Sequence, residues 1–255
     1  GIDVGQLEIK NTEKGDFVFG KKIEKGQSTR ISLSQIIPKV VRSLQGPRFM
    51  KWGAGGVKFS RPIRWIASIY NDKILDFEFD ECDPEIKISN KSKSHRLINK
   101  VLEIQHPDNF FELLKQNRVL VKRHERKEKI ESLITQASKK LNLNPDLPEG
   151  LINELSDLVE WPDLIIGKFS EDFLDLPLEV LSTVMKNHQR YVPLLLENNN
   201  FSKLDLSSEK NISTTFFVIS NGLEESNINI TKGNEKVLRA RFSDAKFFVE
   251  SDKKV

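Results

Sequence analysis

The sequence predicts an α+β fold of mixed or antiparallel sheets with packed helices, in which residues 106–160 form a mainly helical insertion within one 1–255 body. Two observations predict it. Residues 73–80 alternate apolar and polar side chains, the period of a half-buried strand. Ile130, Leu133, Ile134, Ala137 and Leu141 instead recur at i, i+3, i+4, i+7 and i+11, the period of one helix face. The two periods are also segregated, with helical character across residues 107–159 and β-formers dominating on either side. At 255 residues, with 38% hydrophobic content and 16 Phe, the chain can bury a core as one large domain or two ordinary ones.

Taken in order, residues 16–20 followed by 21–26 predict a strand that turns or bulges at Gly20. A helix is expected from Ser32, capped by Ser32 or Ser34, with Ile36, Ile37, Val40, Val41 and Leu44 on one side and Gly46-Pro47 as its stop. Residues 63–70 are rich in β-formers, Asn71-Asp72 marks a turn, 73–80 is the return strand, and 85–89 a further strand. Asp108 is expected to cap a helix carrying Phe110, Phe111, Leu113 and Leu114. A second helix closes at Asn144-Pro145, and a third carries Leu151, Ile152, Leu155, Leu158 and Val159 until Trp161-Pro162. Strand character returns at 164–169, and Pro177 suits the first turn of a helix reaching about Lys186. Residues 191–196 read as a strand, 197–200 as a turn, 199–211 as a mobile polar loop and 214–220 as a buried strand. The chain closes on a helix over 234–249 with Leu238, Phe242, Ala245, Phe248 and Val249 along one stripe.

The net charge of +3 is uninformative, but its distribution is not. No carboxylate occurs from Lys25 to Asn71, and within that window residues 48–65 set Arg48, Lys51, Lys58, Arg61 and Arg64 around Phe49, Trp52, Phe59 and Trp65. This pattern fits a polyanion surface, where a competing acid would cost affinity, or an aromatic cluster rimmed by solvated cations. Acids dominate between Leu141 and Met185, where Lys168 is the one base, so two faces with different partners are expected. A second cluster, Lys122, Arg123, His124, Arg126, Lys127 and Lys129, enters a helix with its charges against the macrodipole. It is either a solvated face neutralised by Glu125, Glu128 and Glu131 or a polyanion contact. Ser94-His95-Arg96 fits a phosphate-binding turn or a solvated loop. Arg239 and Arg241, at i and i+2, point to different helix faces, so one should need an anion such as Asp244.

Several chemistries lack their residues. Gly53-Ala54-Gly55-Gly56 has no following Lys-Ser/Thr that opens a helix, so it reads as a tight turn, and no dinucleotide fingerprint occurs. His95, His106, His124 and His188 lack metal-ligand spacing, and no metal site is assigned. Cys82 is alone, which rules out a disulfide within the sequence, and its acidic surroundings disfavour the thiolate. No nucleophile elbow is present and no catalytic residue is assigned. No run approaches the ~18 apolar residues of a membrane span, and the start has no signal-peptide pattern. The opening at Gly1 and the close just after a helical pattern suggest a piece of something longer.

Together the motifs are more specific than any alone. Met50-Lys51-Trp52-Gly53, Phe59-Ser60-Arg61-Pro62-Ile63-Arg64-Trp65, Ser94-His95-Arg96, Leu158-Val159-Glu160-Trp161-Pro162, Met185-Lys186-Asn187-His188-Gln189-Arg190-Tyr191 and the run from Gly233 to Ala245 follow one another in order. In this the chain resembles the beta subunit of bacterial-type heterotetrameric glycyl-tRNA synthetase over essentially its whole length. It departs at Leu97 and Val192, where the family tends to carry aromatics, and at Ala240, where Pro is common.

The resemblance implies part of a two-step ligase that converts ATP, glycine and tRNA to glycyl-tRNA, AMP and diphosphate. Its adenylation site, with ATP and Mg, belongs to the alpha subunit, so no cofactor is expected on this fragment. The implied partners are the alpha subunit, in an α2β2 assembly, and tRNA(Gly), in the cytoplasm and away from membranes. This portion is expected to be N-terminal and similar in fold to the editing-domain-like module of the phenylalanyl-tRNA synthetase beta subunit. Arg48, Lys51, Arg61, Arg64, His95, Arg96, Lys186, Arg190 and Arg239 are the candidate RNA-facing or structurally paired residues. The rival expectations are an assembly scaffold without RNA contact, favoured if Arg61 and Arg64 lie in carboxylate pairs, and a deacylase of mischarged tRNA.

Overall fold

The computed structural model describes residues 3–22, 25–79, 85–196 and 212–253. The described residues are mixed α and β, with mostly antiparallel small sheets and six α-helices. The chain divides into two compact units, Gly1–Asn90 and Lys91–Val255.

The first unit opens with β1 (Leu7–Thr12) and β2 (Gly15–Gly20), an antiparallel hairpin registered from Leu7↔Gly20 to Thr12↔Gly15. Gly15 takes φ +113 at its turn, a conformation that an L side chain avoids. The strand at 16–20 thus pairs with the preceding segment; of residues 21–26, Ile23 and Glu24 lie outside the described residues. α1 (Thr29–Ser43) begins before Ser32, because Ser28 supplies the cap by accepting the N–H of Ile31. Its predicted stripe packs only in part. Ile37 and Val41 are half-buried, while Ile36, Val40 and Leu44 face solvent.

β3 (Met50–Lys51) and β4 (Lys58–Phe59) form a second hairpin. The remaining strands are β5 (Ile66–Ala67), β6 (Ile69–Tyr70), β7 (Lys73–Ile74) and β8 (Ile88–Ser89); β6 pairs antiparallel with β7, and β5 pairs parallel with β8. The alternation of 73–79 is realised in burial, with Leu75, Phe77 and Phe79 inside and Asp76 and Glu78 outside, although ladder pairing ends at Ile74. Cys82 lies outside the described residues.

The second unit starts with the hairpin of β9 (Lys91–Lys93) and β10 (Val101–Glu103). A 3-10 turn follows, capped not by Asp108 but by His106, whose side chain accepts the N–H of Asp108. It leads into α2 (Phe110–Gln116). α3 (Arg123–Leu141) ends at Asn142, which adopts φ +54 and turns the chain into β11 (Leu143–Pro145). Asn144-Pro145 is thus an edge strand, not merely a stop. After α4 (Glu149–Leu158) come β12 (Asp163–Lys168), α5 (Leu178–Thr183) with Pro177 as its N-cap, and a π-helical turn at Val184–Gln189. β13 (Tyr191–Leu196), β14 (Ile212–Ser220) and α6 (Asn227–Asp252) complete the unit. The turn and loop expected within residues 197–211 lie outside the described residues.

β11-β13-β14-β12 form one antiparallel four-stranded sheet covered on both faces. Period-two alternation along β14 sends Phe216 and Val218 to a core shared with Tyr191, Met185, Leu181, Leu238 and Phe242. Phe217 and Ile219 go to the opposite core, with Val192, Leu194, Ile130, Ile134, Leu151 and Leu155. α5, the π turn and α6 therefore cover one face, and α3 with α4 the other. This explains why Phe216 to Ile219 of β14 form an unbroken apolar run. On α6, Leu238 and Phe242 are fully buried and Ala245 and Val249 pack beside them, but Phe248 is 64% exposed. Phe248 instead meets Phe247 edge-to-face outside the core.

Candidate nucleic-acid interface

The acid-free window folds locally around the β3–β4 hairpin. Trp52 Nε1 donates to the carbonyl of Phe59 (2.9 Å), and Gly53 takes φ +63 at the turn, so the glycine is required by geometry. Phe49 and Phe59 meet at 5.7 Å between ring centroids. The Phe49 ring lies so close to Gly46 that a Cβ there would stand 2.4 Å from it. Phe49, Trp52 and Phe59 are half-buried, whereas Pro62 and Trp65 are exposed.

The register of this hairpin sets Lys51 directly opposite Lys58, with both side chains exposed. Like charges facing across a strand pair destabilise it, so this arrangement is suited to an anion and not to packing. Arg48, Arg61 and Arg64 are also exposed, and among the described residues none of these five cations makes an ion pair. Arg64 lies 5.7 Å over the ring of Trp65. An open cleft of about 630 Å³ beside Lys58 is lined by Arg42, Gly46, Phe49 and Val57. Cations around an aromatic floor are the elements of single-stranded nucleic-acid binding.

The other predicted residues lie in the second unit and separate into different environments. His95 is fully buried, neither a solvated loop residue nor a surface ligand. Its N–H donates to Asn117 O (3.0 Å), its carbonyl accepts from Ile98 and Asn99, and its Nδ1 accepts from Leu97 N–H (3.4 Å). It thereby fixes the β9–β10 connection to the end of α2; Arg96 beside it is exposed. Lys186 is bound to Asp146 (2.5 Å), which also accepts from Ser182, and Arg190 to Glu154 (2.8 Å). Both line a cleft of about 720 Å³ with Glu179, Thr183 and Asn187. Arg190 holds φ +58 at the end of the π turn. Arg239 lies on another cleft, with Lys168, Asp172, Lys232 and Glu235. Both Arg239 and Arg241 are exposed, and among the described residues Arg241 makes no pair with Asp244. Both arginines reach solvent from their separate faces of α6, so neither is forced to find an anion within the helix.

The second basic cluster is a clamp. Arg123 grips Asp157 with two hydrogen bonds (2.7 and 3.1 Å) and reaches Asn153, while Lys127 pairs with Glu149 (2.6 Å). Arg126 donates to the carbonyls of Ser156, Leu120 and Val121, so the end of α4 is satisfied by a cation. Hydrogen bonding to Arg123 holds Asp157 below its ordinary range, and hydrogen bonding and attraction to Lys127 lower Glu149; the same Asp157 contact raises Arg123. Lys122 pairs with Glu125 (3.6 Å), as the spacing within the cluster suggests, whereas the acids that neutralise Arg123 and Lys127 come from α4, a pairing that spacing within α3 does not reveal.

Among the described residues no group of His, Cys, Asp and Glu is placed to hold a metal, and no helix is long and apolar enough to cross a membrane.

The model of one protein family, described as glycyl-tRNA synthetase beta subunit, matches residues 1–255. The glycine–tRNA ligase beta subunit of Trichodesmium erythraeum is 40% identical over 253 residues, 99% of this chain and 34% of the relative. That of Thermodesulfovibrio yellowstonii is 36% identical over 255 residues, 100% of this chain and 35% of the relative. That of Clostridioides difficile is 33% identical over the same span. The chain therefore spans about a third of the length of the curated relatives it matches. On a match that runs from the first residue to the last, the chain belongs to the glycyl-tRNA synthetase beta subunit family.

Proposed function

We propose that this chain is the portion of a glycine–tRNA ligase beta subunit that docks and positions tRNA through the β3–β4 hairpin and its flanks. The observation that carries the reading is the set of exposed cations Arg48, Lys51, Lys58, Arg61 and Arg64, without an ion pair among the described residues, in a window without a carboxylate. Phosphate contacts from such residues fix RNA in place and leave sequence reading to other groups. The exposure of Arg61 and Arg64 speaks against a scaffold that uses them only for internal pairing. Lys186 and Arg190, tied to Asp146 and Glu154, hold the second unit together in this reading.

The ligase reaction then joins glycine to tRNA(Gly) at the expense of ATP, with the adenylate formed, with Mg, on an alpha subunit in a cytoplasmic α2β2 assembly. The likeness in fold to the editing-domain-like module of the phenylalanyl-tRNA synthetase beta subunit is part of the same proposal and carries no editing activity with it.

Titration of tRNA into the chain and into the Arg61→Ala, Arg64→Ala double variant tests the reading. Affinity should fall and the dependence of log K on log salt should flatten by about one unit per lost phosphate contact, with the circular dichroism unchanged. Equal affinity in the two proteins removes those residues from the interface.

A further inference from the structure

Away from the β3–β4 hairpin, the second unit holds two cations over one indole. Lys129 Nζ stands 3.2 Å from the Trp161 ring centroid, and the Arg118 guanidinium carbon stands 5.1 Å from it. Three connections bring them together. Arg118 follows α2, Lys129 lies on α3, and the N–H of Trp161, beyond α4, donates to Asn221 Oδ1 at the end of β14 (3.1 Å). Among the described residues neither cationic side chain makes an ion pair or a hydrogen bond. The acid in their field is Asp163, whose two oxygens already accept from Leu164 N–H (2.9 Å) and Asn227 Nδ2 (3.0 Å).

The backbone at Arg118 is a second, independent sign. It adopts φ +61, a conformation that glycine or asparagine enters with less strain than a long side chain. Its fold is set by main-chain bonds, Arg118 N–H to Lys115 O and Val119 N–H to Leu114 O, which glycine would make equally well. The arginine side chain is thus not needed for the turn. Burial and the neighbouring Arg118 charge also lower the Lys129 pKa to about 8, so the pair is short of negative charge as it stands.

We infer that Arg118 and Lys129, held over Trp161, form a phosphate-binding subsite in which one oxyanion bridges the guanidinium and the ammonium. A guanidinium fork and a compact ammonium are complementary donors for phosphate, and the half-buried indole lowers the dielectric around them. The phosphate is either that of an RNA backbone or that of a free phosphate compound. The RNA arm places this second contact on a different unit from the hairpin and holds or fails separately from it.

Amine acylation of Lys129 at pH 8, read by peptide mass spectrometry on the whole chain, tests the subsite with inorganic phosphate against chloride at matched ionic strength. Phosphate should protect Lys129, and Arg118→Gly or Arg118→Asn, both suited to the backbone, should raise the phosphate concentration needed by about tenfold or more. tRNA titrated into the same variants separates the sources. Weaker tRNA binding assigns the subsite to RNA phosphate, and unchanged tRNA binding with lost phosphate protection assigns it to a free phosphate compound. Absence of protection by phosphate, or equal protection in the Arg118 variants, overturns the inference.

Discussion

At the scale of single residues, position in the register separates the cations that serve a ligand from those that serve the fold. Lys51 and Lys58 face each other across β3–β4, and among the described residues neither makes an ion pair. Replacing Lys58 by alanine should therefore leave thermal stability unchanged or raise it by a few tenths of a kcal/mol, while weakening tRNA binding. A lysine that held the hairpin together would instead show a lowered melting temperature. Tyr191 represents the opposite case. Its ring stacks on Phe216 (5.1 Å) and its hydroxyl donates to Asn234 Oδ1 (2.6 Å); burial raises its pKa from 10.0 to about 12. The native state favours the neutral phenol, so this contribution is complete below pH 10.0 and is lost as pH rises through about 12. Ultraviolet titration of phenolate in the chain and in Tyr191→Phe should show one tyrosine ionising late in the former only. Tyr191→Phe should cost about 1 kcal/mol for the lost hydrogen bond.

At the scale of elements, α3 and α4 are joined by charge as well as by the apolar contacts of Ile130, Ile134, Leu151 and Leu155. Arg126→Ala leaves the carbonyls of Ser156, Leu120 and Val121 without their donor and should destabilise by about 1–3 kcal/mol in chemical denaturation. Arg123→Ala, at the exposed and solvent-screened pair with Asp157, should cost clearly less than Arg126→Ala. Equal losses would mean that Arg126 acts no differently from a surface cation. Asp157 and Glu149 have lowered values, so their contribution is complete above the ordinary 3.8 and 4.5 and disappears as pH falls through the lower folded values.

The elements also show how much was legible beforehand. The helices of residues 107–159 and the burial alternation of Leu75, Phe77 and Phe79 followed from periodicity, because each buries one face against something apolar, and the strand Tyr191–Leu196 from its short apolar run, which is buried on both faces. The strand Leu143–Pro145 did not, since a three-residue edge has too few positions to show a period and its Asn-Pro reads as a stop. The clamp was equally invisible. Arg123 and Asp157 are far apart in sequence, and only the packing of α3 on α4 brings them together. His95 carried a motif but no sign of burial, because a polar Ser-His-Arg triplet reads as surface until its main-chain bonds to Asn117, Ile98 and Asn99 are known. In the candidate site, the cations of residues 48–65 were legible as a cluster because the acids were missing. The facing of Lys51 and Lys58 needed the register.

At the scale of the whole molecule, the two units differ in their cores. The second encloses a sheet between two apolar clusters, whereas the buried large aliphatic and aromatic side chains described in the first are Leu75, Phe77, Phe79 and Ile86. Native-state hydrogen exchange should accordingly find amides of β3–β4 and β6–β7 opening at lower free energy than those of β13 and β14. A unit with a slight core and an unneutralised basic surface is suited to gain stability from a bound polyanion, and tRNA should raise its protection first.

In the proposed function, the cations of the β3–β4 hairpin and its flank meet RNA phosphates. Its most direct test is the salt dependence of tRNA binding in the chain and in the variant carrying Lys51→Ala, Lys58→Ala, Arg61→Ala and Arg64→Ala. The slope of log K against log salt should flatten by roughly one unit for each cation that contacts a phosphate, with the fold intact. An unchanged slope in a folded variant would contradict it.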